Sequence, residues 1–407
     1  MSTLNLHRVF VGSATVDGLQ QNITLTNEQR ERLTGAREAV RSKLRADFRT
    51  LTEAAISEKI VLLRKSFQTR ERAEALRLRP KFREQGSFSY HTVNYPAHVP
   101  PQQVDVDDGV YLPTSFVNEQ DPDVAAEAYF AAVENSLRPL CVARGWKLLE
   151  NGPSSCVRIS LGRDAHLDLP LYAIPDEQFA DEETLLKAAR LRGIFDADDG
   201  IALLTEGQYR SLPADHIMLA HRDGSWELSD PRKMEDWFNL EKQKYGDVLR
   251  LTCRYLKAWR DYQWPKPKTG PSSICLMASV VRAFDDEAPP SDTDRHDLAL
   301  KMTAARLPVI FAGAIENPAV KGAAHLDADW TDDKRQEFIT SASDLHDRIA
   351  KALDALSADA ALSWMNQLFG PRIPTDVTLV RTEEEARILS VPPTVVRAPT
   401  VARSVSG

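Results

Sequence analysis

The chain has 407 residues, 43% of them hydrophobic, 27% charged and 7% aromatic, with a net charge of −8. That length supports two or three domains or one large two-lobed unit, with a core that needs neither disulfide nor metal. The balance excludes collagen, a wholly disordered chain and a small disulfide scaffold, and it argues against non-specific binding to long nucleic acid.

From Thr26 the pattern is helical: Leu33, Ala36, Val40, Leu44 and Phe48 recur near a spacing of four, with charges between them. A second helix is expected over Thr52–Leu78, with Ile56, Ile60, Leu63 and Phe67 on one face. Both are rich in Arg and Lys, which reads as solvated charge or as positive potential beside an anion cleft. Residues 85–120 change texture, with Gly, Pro, aromatics and short alternating stretches that predict turns and strands. Asp123–Arg144 is helical again, and Ser155–Leu161 and His166–Ile174 are strands separated by Gly162-Arg163-Asp164. Residues 217–230 read as a hairpin or as a strand plus turn. From Met234 the chain is helical to Phe369, over 246–262, 272–285, 293–313 and 331–368. The expected division is a mixed half over 1–240, a helical lobe over 241–372 and a tail over 373–407, mobile from about Ser390.

The four cysteines, Cys141, Cys156, Cys253 and Cys275, lie far apart without a CxxC. They read as buried small hydrophobes in a reducing cytosol. No apolar run approaches the roughly 18 residues of a membrane span, and MSTLNLHRVF lacks a signal-peptide core. The expectation is a cytoplasmic protein without membrane contact.

Chemistry concentrates in acidic residues on strands. In VDVDD at 104–108, alternation puts Asp105 and Asp107 on one face and Val104, Val106 and Asp108 on the other. Neighbouring carboxylates repel, and a strand tolerates them where water or a cation neutralises them. Alone, D-x-D is common in surface turns. In HLDLPLY, Leu167, Leu169 and Leu171 face the core, so Asp168 points away with His166 and Pro170. Three carboxylates from neighbouring strands suit two Mg²⁺ or Mn²⁺ ions about 4 Å apart, the arrangement that serves phosphoryl transfer. Upstream, Gln85-Gly86-Ser87 offers backbone N–H groups and a hydroxyl to a phosphate, though Gly-Ser is also an ordinary turn.

The order Gly86-Ser87, then Asp105 and Asp107, then Asp168 resembles the polymerase-β-like nucleotidyltransferases. QGSFSYHTVNYP, QQVDVDDGVYLP, HLDLPLYAIP, WELSDPRKMEDWF, LRLTCRYLKAWRDY and GPSSICLMASVV together resemble the cGAS/DncV-like nucleotidyltransferases of bacterial CBASS anti-phage signalling, in the DncV-like branch, over about residues 80–285. The resemblance implies an α+β nucleotidyltransferase lobe with a mixed sheet plus an α-helical lobe, and an active site in the cleft between them. It implies a monomeric enzyme that condenses ATP and GTP into a cyclic dinucleotide, needs no long nucleic acid and signals to a cyclic-nucleotide-activated effector. A linear oligonucleotide synthase of the 2′-5′ oligoadenylate type and an inactive nucleotide-binding scaffold are the rival readings.

Residue by residue, the resemblance puts Asp105, Asp107 and Asp168 on the metal triad and Gln85, Gly86 and Ser87 on the phosphate-holding turn. Lys257 and Ser272 or Ser273 fall where the helical lobe holds the donor triphosphate; by themselves they also fit a solvated lysine and a plain N-cap. Ser229 and Asp230 fall where relatives read a base edge, yet Ser-Asp-Pro is also a strong helix start. Arg158 is placed to face the nucleotide and Tyr90 to stack on a base. The His296-Asp297 and His346-Asp347 pairs lack the further ligands of a metal phosphohydrolase, and Trp237, Trp259, Trp264, Trp330 and Trp364 are expected as core. The tail ends in Gly407, which suits adenylation by a partner ligase with E1- and E2-like domains, or is an ordinary frayed terminus.

Overall fold

The computed structural model describes residues 4–49, 80–113, 122–150, 152–174, 217–229, 231–290, 295–320 and 322–390. The chain opens with β1 (Leu4–Asn5), α1 (His7–Val11), α2 (Leu19–Asn22) and the long α3 (Asn27–Arg49). Next come β2 (Lys81–Gln85), the single-turn α4 (Gly86–Ser89), β3 (Val104–Pro113) and α5 (Pro122–Arg144). β4 (Lys147–Leu149), β5 (Cys156–Ser160), β6 (Ala165–Ile174), β7 (Met218–Ala220) and β8 (Trp226–Leu228) follow. The second half is α6 (Pro231–Tyr245), α7 (Asp247–Gln263), α8 (Ser273–Asp286), α9 (His296–Ala312), α10 (Asp332–Leu353) and α11 (Ala358–Phe369). The described part closes with β9 (Arg381–Thr382) and α12 (Glu383–Ser390).

The first lobe is built on a mixed sheet in the order β2-β3-β6-β5-β4, with β7 on β6 and β8 on β7. Within it β3 and β6 run parallel, and the other pairings are antiparallel. A parallel pair needs a crossover, which the segment containing α5, β4 and β5 supplies. Alternation sends Val104, Val106 and Val110 to the same core as Leu167, Leu169 and Leu171, where Leu33, Val40 and Leu44 of α3 and Tyr129 and Val133 of α5 cover them. Asp108 shares that face and is 0% exposed. Arg41 of α3 grips it with two prongs, Nε to Oδ2 at 2.8 Å and Nη2 to Oδ1 at 2.6 Å. The opposite face, with Asp105, Asp107 and Asp168, is left for the second lobe.

That lobe has its own core around α7, where Leu249, Cys253, Leu256 and Trp259 are buried. Leu6, Val9, Phe10, Leu19 and Ile23 join this core rather than the sheet's, and so does Phe238 of α6. The chain therefore does not divide at one point near 240: its N-terminal stretch returns to the helical lobe, and β1 pairs with β9. The His296-Asp297 pair is part of that closure. Asp297 accepts the Leu6 N–H at 2.8 Å and both prongs of Arg295 at 3.0 and 3.1 Å. The helix expected over 331–368 is two, because Leu353 ends α10 and Ser357 caps α11 by accepting the Ala360 N–H. The first part of the expected tail is structured, as β9 and α12. The helix expected over 52–78 and the tail beyond Ser390 lie outside the described residues. Among the described residues no helix is long and apolar enough to cross a membrane.

Residues 91–103 strap the two lobes together. Asn94 donates from Nδ2 to the Arg254 carbonyl at 2.8 Å and accepts from Arg254 Nε at 2.9 Å. Gln102 Nε2 donates to the carbonyls of Asp261 at 2.7 Å and Trp264 at 2.9 Å, near the end of α7. The long segment between Ser87 and Asp105 is thus a connector that sets where β3 begins relative to α7.

Candidate active site

Between the open face of the sheet and α7–α8 lies a cavity of about 720 Å³, a size that suits a small-molecule ligand. Strand register assembles its acidic wall. Asp107 of β3 stands opposite Asp168 of β6, and Asp105 stands opposite His166. On the flanks, β2 brings Gln85 opposite Asp107, and β5 brings Arg158 opposite Asp168. Paired positions share a face, so three carboxylates, one imidazole and one guanidinium converge on one patch.

The patch is electrostatically loaded. Arg158 forks onto Asp168, with Nε donating to Oδ1 at 2.6 Å and Nη2 donating to Oδ2. That hydrogen-bonded pair raises the guanidinium's pKa further. Burial, together with the charges of Asp105 and Asp168, pushes Asp107 well above the usual carboxylate range. Enclosure in the cleft also works to raise Asp105. The contact with His166, with Arg158 and Lys257 nearby, outweighs it, and that carboxyl sits below its ordinary value. One carboxylate that resists ionisation beside another that favours it is a site short of positive charge. The donors are hard oxygens, which fits Mg²⁺ or Mn²⁺.

Gly86 is required where it stands. It adopts φ +63°, and a β-carbon there would overlap the Asp107 carboxylate. Ser87 follows on the cavity wall. Across the cavity, Lys257 of α7 is 5% exposed and donates from Nζ to the Thr92 carbonyl at 2.7 Å. Burial, with the charge of Arg260, lowers its pKa to about 8. Ser272 and Ser273 also line the wall. Ser272 caps α8 by accepting the Cys275 N–H, and Ser273 Oγ accepts from Arg260 Nη1 at 3.0 Å.

Other expected contacts sit differently. The Gln85 side chain turns off the cavity, because Tyr111 and Tyr172 on the same sheet face claim its amide. Gln85 Nε2 donates to Tyr111 Oη at 2.8 Å, and Tyr172 Oη donates to Gln85 Oε1 at 3.3 Å. Tyr90 reaches the wall, but its ring is buried edge-on against Phe238 at 5.9 Å. Ser229 lies off the cavity wall, its N–H bonded to the Ile217 carbonyl. Asp230 and Gly407 lie outside the described residues. Several lining groups carried no site role in the sequence reading, among them His166, which alternation does put beside Asp168, Arg260, and Asp329, whose loop offers no periodicity to read.

Comparisons with known proteins agree with this geometry. Residues 80–172 match the family model described as the nucleotidyltransferase domain of DncV-like cyclic GMP-AMP synthase. Residues 246–382 match the C-terminal domain of cyclic GMP-AMP synthase. A cyclic GMP-AMP synthase of Escherichia coli is 31% identical over 93% of this chain and 94% of its own. The chain belongs to the DncV-like cyclic GMP-AMP synthase family. A second relative in that family, from Vibrio cholerae, is 31% identical over 93% of each chain. The structure of Vibrio cholerae DncV with the linear intermediate 5′ pppA(3′,5′)pG superimposes with a TM-score of 0.74 at 28% identity, covering 94% of this chain and 99% of that one. A variant of the same enzyme, in complex with ATP, GTP and 5MTHFGLU2, gives a TM-score of 0.75 at 29% identity over 93% of this chain and 99% of that one. Membership brings the enzyme class: the chain is a nucleotidyltransferase of the cyclic dinucleotide synthase type.

Proposed function

We propose that this enzyme condenses ATP and GTP into cyclic GMP-AMP in two steps, each releasing pyrophosphate. The observation that carries the reading is that Asp105 and Asp107 stand on one wall of a cavity that also presents Lys257, with Asp168 paired beside Asp107 and held beneath the Arg158 fork. A ribose hydroxyl of one nucleotide attacks the α-phosphorus of the other. The new P–O bond forms as the bond to the β-phosphate oxygen breaks, and the hydroxyl proton leaves toward Asp168. Mg²⁺ held by the three carboxylates would supply charge neutralisation for the attacking and leaving oxygens. Ser87 with the Gly86 turn on one side, and Lys257 with the Ser272–Ser273 turn on the other, grip the donor triphosphate. Arg158 shares Asp168 at rest and is placed to meet a nucleotide as well.

The Vibrio cholerae neighbour bound to pppA(3′,5′)pG supports a linear intermediate with a 3′-5′ bond, which then turns and closes. The resemblance of the sequence motifs to CBASS enzymes supports a role in anti-phage signalling through a cyclic-nucleotide effector. Incubation of the purified protein with labelled ATP and GTP and Mg²⁺ tests the chemistry. A phosphatase-resistant product with the mass of cyclic GMP-AMP is expected. A product that phosphatase shortens would make the enzyme a linear synthase, and no product at all would make it a scaffold.

A further inference from the structure

We infer that His166 is a nitrogen ligand of one of the divalent cations, so that the site is a mixed one of Asp105, His166 and Asp168. This rests on the reading of the carboxylate patch as the cation site.

Gln103 lies one residue before β3. Its Nε2 donates to the Gly162 carbonyl at 3.1 Å, and a carbonyl can only accept. The amide is thereby turned so that Oε1 faces His166 Nδ1, 3.2 Å away. An amide oxygen also only accepts, so Nδ1 carries a proton and Nε2 is the ring nitrogen turned toward the carboxylates. Nε2 is shielded from solvent and lacks a partner in hydrogen-bonding geometry. Yet Asp105 Oδ1 lies only 2.7 Å from it, and Asp168 Oδ2 lies 3.9 Å away.

A ring nitrogen and a carboxylate oxygen that close are held together by a proton or by a metal ion. A proton shared with a carboxylate favours a nearly straight N–H···O line, which this pair does not offer. Ligands of one metal ion instead converge on a point beside the line that joins them. One donor atom from each of Asp105, His166 and Asp168 lies within 4.8 Å of the others. A ring held through its second nitrogen by an amide oxygen is also how ligating histidines are oriented. Mg²⁺ favours oxygen donors, whereas imidazole suits the transition metals, so His166 tilts this site toward Mn²⁺.

The test uses the full-length, nucleotide-free protein loaded with Mn²⁺, read by pulsed EPR and by calorimetric titration. The parent is expected to show coupling to a directly bound nitrogen. His166→Gln loses that coupling and binds Mn²⁺ roughly ten- to a hundredfold more weakly, with circular dichroism and Tm unchanged. Gln103→Ala keeps the coupling and weakens binding by about tenfold. Mn²⁺ bound by the parent without a nitrogen ligand overturns the inference and leaves the carboxylate reading standing, as does coupling that persists in His166→Gln. If parent and Asp105→Asn alike fail to bind Mn²⁺, both readings fall. The parent spectrum decides the matter even where a variant does not fold.

Discussion

At the scale of single residues, Lys257 carries the sharpest consequence. Its ammonium is buried against the Thr92 carbonyl, and its pKa falls to about 8 from an ordinary 10.5. Below pH 8 it is charged and ready for phosphate. Above pH 8 the free protein must take up a proton to bind a triphosphate, so affinity should drop by about tenfold per pH unit until the ordinary value is reached. Stability moves the other way: between those two values the unfolded chain holds a proton that the folded chain lacks, so this lysine's contribution rises with pH. Equilibrium binding of a non-hydrolysable ATP analogue across pH 7–9.5 checks the first trend. Lys257→Met should weaken binding by about 1.5–3 kcal/mol at pH 7 and flatten the profile. An unaltered profile in the variant would detach Lys257 from the triphosphate. Much of this patch was legible in the sequence, because period-two alternation with leucines on one face fixes where Asp105, Asp107 and Asp168 point. The direction of Gln85 was not, since its partners Tyr111 and Tyr172 are set by strand pairing across the sheet. Asp329 was not either, because a loop residue reaches the cavity only through tertiary packing.

At the scale of elements, two devices hold the catalytic strand in place. Behind it, the Arg41–Asp108 pair ties α3 to β3, with Arg41 3% and Asp108 0% exposed. Arg41→Met strands a buried carboxylate and should cost about 3–5 kcal/mol in urea unfolding, while Arg41→Met with Asp108→Leu should recover most of that loss. In front, Gln102 fastens the approach to β3 onto two carbonyls near the end of α7. Gln102→Ala leaves those carbonyls short of a donor and loosens the spacing between Lys257 and the carboxylates. The expected result is a kcat lower by roughly ten- to a hundredfold with a smaller change in KM. An unchanged kcat would show that the strap does not govern alignment. The helices and strands themselves were largely readable from periodicity. The break at Asp354–Ser357 was missed because the apolar spacing of α10 and α11 runs on across a short capped turn. The strap was visible only as an unusual length, since its bonds run between side chains and distant backbone.

At the scale of the whole molecule, the cavity belongs to neither lobe alone, and the ends of the described chain meet away from it. β1 and β9 pair, and Arg295 links Asp297 to Glu383 at the start of α12. The described lining residues run from Gly86 to Phe338, so nothing from α12 enters the wall. Truncation after Ser390 keeps every described lining residue, and it should leave kcat and KM for dinucleotide synthesis unchanged; a large loss would bring the tail into catalysis. The return of residues 4–23 to the helical lobe was hidden in the sequence, because short amphipathic pieces do not declare which core they join. The central claim is that Asp105 and Asp107 together serve phosphoryl transfer. Its most direct measurement is pyrophosphate release from ATP and GTP by the Asp105→Asn, Asp107→Asn double variant, alongside its Tm without metal. The expected result is that turnover vanishes while the Tm stays near the parent's, since removing Asp107 relieves repulsion and removing Asp105 gives up its contact with His166. Turnover near the parent's by this variant, with its fold intact, would contradict the account.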